Sequence, residues 1–258
     1  MAGLAPRGSL LPGRAGATRA RSTRPLLRLG GLTPLTSIDY PGELAAVIFC
    51  QGCPWRCGYC HNPELLAPIG KDPLFWGDIL GFLQRRQHLL DAVVFSGGEP
   101  TLQWALPEAV KQVRSLGFKV GLHTAGIYPR RLATLLPHLD WVGLDIKALP
   151  EDYPALTGVP GSGARAWESL HLLLDAGTSL EVRTTLAGPV SHRGKVETLM
   201  RRLAQAGVTC YALQTPRRVG GPCQFGEEHV NPAGLMASQD AAIYAPCGQA
   251  LFPHFELR

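Results

Sequence analysis

From Gly30 onward, short apolar runs rich in β-branched residues alternate with helix-like segments, and this alternation limits the possible folds more than any other feature. Six runs read as buried strands: Leu44–Cys50, Ala92–Ser96, Lys119–His123, Trp141–Asp145, Leu180–Thr185 and Cys210–Gln214. Helical patterns fall between most of them, at Trp76–Gln87, Leu106–Leu116, Pro129–Leu136, Ala164–Ala176 and Lys195–Ala206. Gly117, Gly177 and Gly207 each follow such a segment, where a glycine relieves the left-handed residue that ends a helix. Strand and helix in alternation predict a parallel sheet with right-handed crossovers. Six units predict an α/β fold, an incomplete (β/α)6 barrel open on one side; a closed barrel of eight units needs more chain than remains in the 258 residues.

The polar and glycine-rich residues sit just after the apolar runs. Ser96-Gly97-Gly98-Glu99-Pro100 ends the second run, His123-Thr124 the third, Asp145-Ile146-Lys147 the fourth, Arg183-Thr184 the fifth and Gln214 the sixth. In a parallel sheet the C-terminal strand ends gather at one pole, where sites are built. Residues far apart in sequence therefore converge there.

The first run leads into the densest chemistry, Cys53-Pro54-Trp55-Arg56-Cys57-Gly58-Tyr59-Cys60. Three thiolates at C-x3-C-x2-C spacing can each hold one iron of a cubane cluster and leave the fourth iron open. Two other readings stand beside this one. Cys50 could complete a C-x2-C-x3-C-x2-C zinc site, or cap the last iron of an electron-transfer cluster. Both make Cys50 a ligand, whereas its place at the end of an apolar run suits a small buried hydrophobe. His61 directly follows Cys60, a poor geometry for both to reach one ion.

The spacing, with an aromatic residue before the last cysteine, resembles the signature of radical S-adenosylmethionine (SAM) enzymes. The flanking stretches, Thr36-Ser37-Ile38-Asp39-Tyr40-Pro41-Gly42, Phe49-Cys50-Gln51-Gly52-Cys53 and Cys60-His61-Asn62-Pro63-Glu64-Leu65, are similar to those of enzymes that activate glycyl-radical proteins. They are most similar to the activase of anaerobic ribonucleoside-triphosphate reductase. The resemblance runs from about Leu29 to about Gln214 and implies a TIM-like partial barrel of the radical SAM type. It implies one [4Fe-4S] cluster on Cys53, Cys57 and Cys60. In enzymes of that kind SAM chelates the open iron and is cleaved by one electron to a 5′-deoxyadenosyl radical, which takes a hydrogen atom from a glycine of the partner, and the resemblance implies the same here. Tyr59 and His61 then flank the cluster and contact SAM. Gly97, Gly98 and Glu99 receive its ammonium, Lys147 its carboxylate, and Arg183 lies close by. Asp145 positions ribose or the peptide substrate, which makes Asp145 and Lys147 the expected catalytic pair.

The resemblance implies an external flavodoxin- or ferredoxin-like electron donor. The chain departs from the pyruvate formate-lyase activase pattern at His123, where that branch has an aspartate, and at Leu213-Gln214, where it has a histidine. The alternatives are an activase of pyruvate formate-lyase type, a small-molecule radical SAM enzyme and, more remotely, a non-enzymatic zinc or electron-transfer protein.

Composition sets the remaining bounds. Hydrophobic residues make up 45% and charged residues 17%, enough for a substantial core. Seven cysteines, four of them crowded between Cys50 and Cys60, favour metal binding in a reducing cytoplasm over a disulfide framework. The net charge of +5 is concentrated before Asp39, where Arg7, Arg14, Arg19, Arg21, Arg24 and Arg28 meet no acidic residue. The remainder is near neutral, so no nucleic-acid partner is expected. No apolar run approaches the roughly 18 residues of a membrane span. The expected organisation is a disordered Arg-rich leader at 1–28, a core domain at 29–215 and a tail at 216–258 packed on the core. That tail holds Cys223, Cys247 and one short helix over Ala233–Ala241. Cys210, Cys223 and Cys247 are too scattered for a second cluster.

Overall fold

In a computed structural model of the chain, residues 27–71, 74–187, 193–216 and 241–258 are described. Most of the Arg-rich leader, Cys223 and nearly all of the expected helix over Ala233–Ala241 lie outside the described residues.

One eight-stranded sheet runs through the molecule in sequence order. Its strands are β1 (Leu29–Thr36), β2 (Ala45–Cys50), β3 (Ala92–Gly97), β4 (Lys119–Thr124), β5 (Trp141–Asp145), β6 (Leu180–Thr185), β7 (Cys210–Gln214) and β8 (His254–Leu257). The six expected strands are β2–β7, each bound within one residue of its expected ends. They pair in parallel, as the alternation predicts. Two margin strands extend them: β1 lies antiparallel on β2 and β8 parallel on β7. The sheet is an open, barrel-like α/β fold.

The crossing helices are α1 (Trp76–Gln84), α2 (Leu106–Ser115), α3 (Pro129–Leu135), α4 (Tyr153–Thr157), α5 (Ser162–Asp175), α6 (Arg193–Gln205) and α7 (Ala245–Leu251). Gly117, Gly177 and Gly207 take φ of 91°, 63° and 99°, so each is the left-handed residue expected after α2, α5 and α6.

Side-chain parity divides the sheet into two faces. Ile48, Phe95, Leu122, Leu144, Val182 and Leu213 point to the helices and join the main core. Ala45, Val47, Ala92, Val94 and Trp141 form a second cluster with Tyr40, and no helix residue enters it. On this inner face the apolar residues lie low on the strands. The polar residues Ser96, His123, Asp145, Arg183 and Gln214 follow at the same parity near the C-terminal ends. The loop after β1 closes the low end: Tyr40 is buried, its ring centroid 5.2 Å from that of Trp141.

Candidate functional site

The cysteine loop leaves the top of β2 and is held at several points. Gly52 N–H donates to Leu65 O at 2.8 Å and Cys53 N–H to Leu66 O at 3.2 Å. The buried Gln51 amide donates to Glu64 O and Ala67 O. Arg56 N–H donates to Thr157 O of α4 at 2.9 Å, and its guanidinium to Cys53 O at 2.7 Å. A loop with its returns so fixed can present side chains without a regular element under it.

Cys60 N–H donates to Cys57 O at 3.1 Å, so the last two cysteines share one turn. Burial pushes the Cys53 thiol up to about 12, with the Glu99 charge adding to it. Burial also raises Cys57, against the attraction of Lys147. Among the described residues no three His, Cys, Asp or Glu side chains converge on a single ion position. In a cubane each thiolate takes its own iron, so three neighbouring thiolates of one loop serve as its ligands. The donor set thus fits a cluster on three cysteines. Cys50 is fully buried in the core on the helix side of β2, and burial raises its thiol strongly.

The glycine-rich end of β3 lies against this loop. Gly97 has φ of 115°, and a Cβ there would overlap the Cys50 backbone. A Cβ on Gly98 would stand 2.5 Å from Gly52 O. Both glycines are needed for this backbone approach. Glu99 is wholly buried, and its carboxylate accepts from Thr101 N–H, Thr101 Oγ1, Thr124 Oγ1 and Ala125 N–H at 2.6–3.0 Å. Four protein donors on one carboxylate make it first a brace between the ends of β3 and β4. Burial nonetheless pushes its carboxyl above the usual range.

The ends of β5 and β6 bring together Asp145, Lys147 and Arg183. Lys147 Nζ lies 3.1 Å from Asp145 Oδ2, and Arg183 Nε 3.3 Å from Asp145 Oδ1. Burial works against both charges of the Asp145–Lys147 pair, and mutual attraction outweighs it: Asp145 is lowered and Lys147 raised. Lys147 also stands 5.6 Å over the Tyr59 ring, which joins this cluster to the cysteine loop. Tyr59 and His61 meet edge to face, centroids 6.4 Å apart. Tyr59 OH is buried without a hydrogen-bond partner, and Arg183 Nε, which also makes no hydrogen bond, has only its ion pair with Asp145. A buried hydroxyl so left costs about 1–3 kcal/mol unless a ligand satisfies it.

Two features escape the sequence patterns. Tyr153 of α4 is fully buried, accepts Lys147 N–H at 2.8 Å and meets Trp55 at 5.7 Å between centroids. It braces the end of β5 against the cysteine loop. Its only sequence signal is an aromatic in a Pro-rich connection, too common to be informative. Glu181, low on the inner face of β6, takes a bidentate pair from Arg258 at 2.9 Å. That contact depends on β8, which sequence periodicity does not reveal.

The matching family model is described as the Radical SAM superfamily and covers residues 47–208. A candidate glycyl-radical enzyme activating enzyme of Methanocaldococcus jannaschii is 29% identical over 196 residues, 72% of this chain and 78% of that one. The pyruvate formate-lyase-activating enzyme of Clostridium pasteurianum is 35% identical over 137 residues, 51% of this chain and 57% of its own length. Among solved structures, SuiB of Streptococcus suis bound to its precursor peptide superimposes with a TM-score of 0.64 at 13% identity, covering 82% of this chain and 48% of that one. A radical SAM methyltransferase from Sphaerobacter thermophilus gives 0.59 at 17% identity, covering 87% and 68%. At such identities the structural likeness is one of fold.

Proposed function

The chain belongs to the radical SAM superfamily, and from that premise we propose that it is an oxidoreductase that activates a glycyl-radical enzyme. The observation that carries the reading is the meeting of the Cys53–Cys60 loop with Asp145, Lys147 and Arg183 at one pole, where Tyr59 OH is buried without a hydrogen-bond partner and Arg183 Nε has only its ion pair with Asp145. When bound, a [4Fe-4S] cluster and SAM supply one-electron cleavage of the sulfonium C–S bond to a 5′-deoxyadenosyl radical.

The residues of the chain bind, orient and exclude water. Cys53, Cys57 and Cys60 hold the cluster. Lys147, kept charged by Asp145, pairs with the SAM carboxylate. Arg183 Nε and Tyr59 OH offer donors to its polar groups, and His61 lies beside Tyr59. The carbonyls of Gly97 and Gly98 receive the ammonium. Glu99 has four protein donors already, so its part is chiefly to fix those carbonyls. Asp145 keeps Lys147 and Arg183 in place and faces the substrate.

Support for a protein substrate comes from the relatives named for glycyl-radical activation and from the open sheet, which admits a peptide loop. The motif resemblance favours anaerobic ribonucleoside-triphosphate reductase as the partner. The Clostridium relative favours a second reading, pyruvate formate-lyase. Clustered thiols support a reducing compartment such as the cytoplasm, and no described helix is long and apolar enough to cross a membrane.

The test mixes the reduced, SAM-loaded protein anaerobically with each candidate partner. A glycyl-radical doublet in the electron paramagnetic resonance spectrum of one mixture is expected. Intact SAM cleavage with no doublet from either partner would redirect the reading to another substrate.

A further inference from the structure

A cavity of about 490 Å³ is lined by Trp104, Tyr128, Arg130, Arg131, Arg165 and Glu168 among others. Trp104 follows the loop leaving β3, Tyr128 the loop leaving β4, and Arg165 lies in the first turn of α5 beyond β5. All three connections leave the pole that carries the cysteines.

The cavity has a fixed aromatic and cationic frame. The Arg131 guanidinium lies 3.9 Å from the Trp104 ring centroid and 4.5 Å from that of Tyr128. Its Nη1 donates to Thr101 O at 3.1 Å and Leu102 O at 2.6 Å. Trp104 is thereby held in place while 73% exposed. An immobilised indole beside guanidinium groups is the composition of an interface anchor. Arg130 and Arg165 are exposed and make no ion pair among the described residues, so three guanidiniums face the single carboxylate of Glu168.

One loop separates this frame from the cysteines. Leu102, whose carbonyl Arg131 holds, packs on Gly52: a Cβ there would stand 3.1 Å from Leu102 Cδ2. Glu99 N–H donates to Gly52 O at 2.9 Å, and Gly52 precedes Cys53. The proposed cleavage of SAM consumes one electron per turnover, which another molecule must deliver. Resting on the proposed function, we infer that the Trp104–Arg131 face is the docking surface of an acidic one-electron carrier protein. Docked there, the carrier loses one electron and the cluster gains it; no bond forms or breaks in that transfer.

The test uses the full chain, reconstituted anaerobically, with an acidic flavodoxin as probe. Binding is followed by calorimetry, and reduction both with flavodoxin and with dithionite. The variants are the double reversal R130E/R165E, at exposed and unpaired positions, and W104A. Wild-type binding should weaken as ionic strength rises from about 50 to about 300 mM. The double reversal and W104A should each weaken binding about tenfold or more. Flavodoxin-driven reduction should fall in step while dithionite-driven reduction is unchanged. Undiminished binding by the double reversal would overturn the inference, as would absence of flavodoxin binding by the wild type. Loss of partner capture with flavodoxin binding intact would also overturn it and assign the face to the glycyl-radical protein. Salt-sensitive, Arg130- and Arg165-dependent binding without any SAM cleavage would uphold the docking surface and sink the proposed reaction instead.

Discussion

His123 stands on the inner face of β4, where Nε2–H donates to Asp39 O at 2.8 Å and Nδ1 lies 3.4 Å from Ser96 Oγ. The carbonyl fixes the tautomer. Arg183 Nη1 stands 3.3 Å from the same Nε2, so an added proton is unwelcome. Burial and the Arg183 charge together lower the imidazole to about 3. A histidine depressed in the folded state protonates first in the unfolded chain. Stability is therefore full above the unfolded value near 6.5 and falls as pH drops from there toward about 3. His123→Gln keeps a donor for Asp39 O and cannot be protonated. Denaturation curves of the two proteins should converge by up to about 1.4 kcal/mol per pH unit between about pH 6 and pH 4; parallel curves would mean His123 is not held neutral. The sequence marks His123 as a strand-end polar residue. It does not show that the ring reaches back 84 positions to Asp39, because that contact needs the loop after β1 folded into the low end of the sheet. Glu99 is a similar case: Gly-Gly-Glu-Pro signals a ligand-side turn, and only the packed structure reveals the four protein donors on its carboxylate.

Among the elements, β2–β7 were legible because strands covered on one face by helices and filled on the other are nearly continuous apolar runs. The margin strands were not. In β1, Gly30, Gly31 and Pro34 read as turn residues, and a strand with one neighbour tolerates them. In β8, His254–Leu257 is too short and half exposed to show a period. Helix α4 has only five residues, Tyr153–Thr157. It matters through Tyr153 OH, which satisfies Lys147 N–H, and Thr157 O, which holds Arg56 N–H. Tyr153→Phe leaves the Lys147 N–H buried and unpaired while keeping the ring against Trp55. The expected cost is about 1–3 kcal/mol, read as a fall of several degrees in Tm. An unchanged Tm would show that the end of β5 does not depend on this bond.

At the scale of the whole molecule, one pole of one sheet gathers the Cys53–Cys60 loop, the glycine-rich turn and the Asp145–Lys147–Arg183 cluster. Strand order accounts for this: parallel pairing from β2 to β7 sends every strand end the same way. The sequence displayed the convergence because its polar residues follow the apolar runs. It did not display the cation-rich cavity, since Trp104, Arg131 and Arg165 lie in separate connections with no shared motif. On the proposed function this pole holds a cluster on three cysteines and cleaves SAM there. The most direct measurement is 5′-deoxyadenosine released from SAM by the anaerobically reconstituted protein under dithionite, with Cys50→Ala and Cys57→Ala run alongside. Release is expected from the wild type and from Cys50→Ala, and none from Cys57→Ala. No release by the wild type when it carries its irons, or a loss in Cys50→Ala equal to that in Cys57→Ala, would contradict this reading.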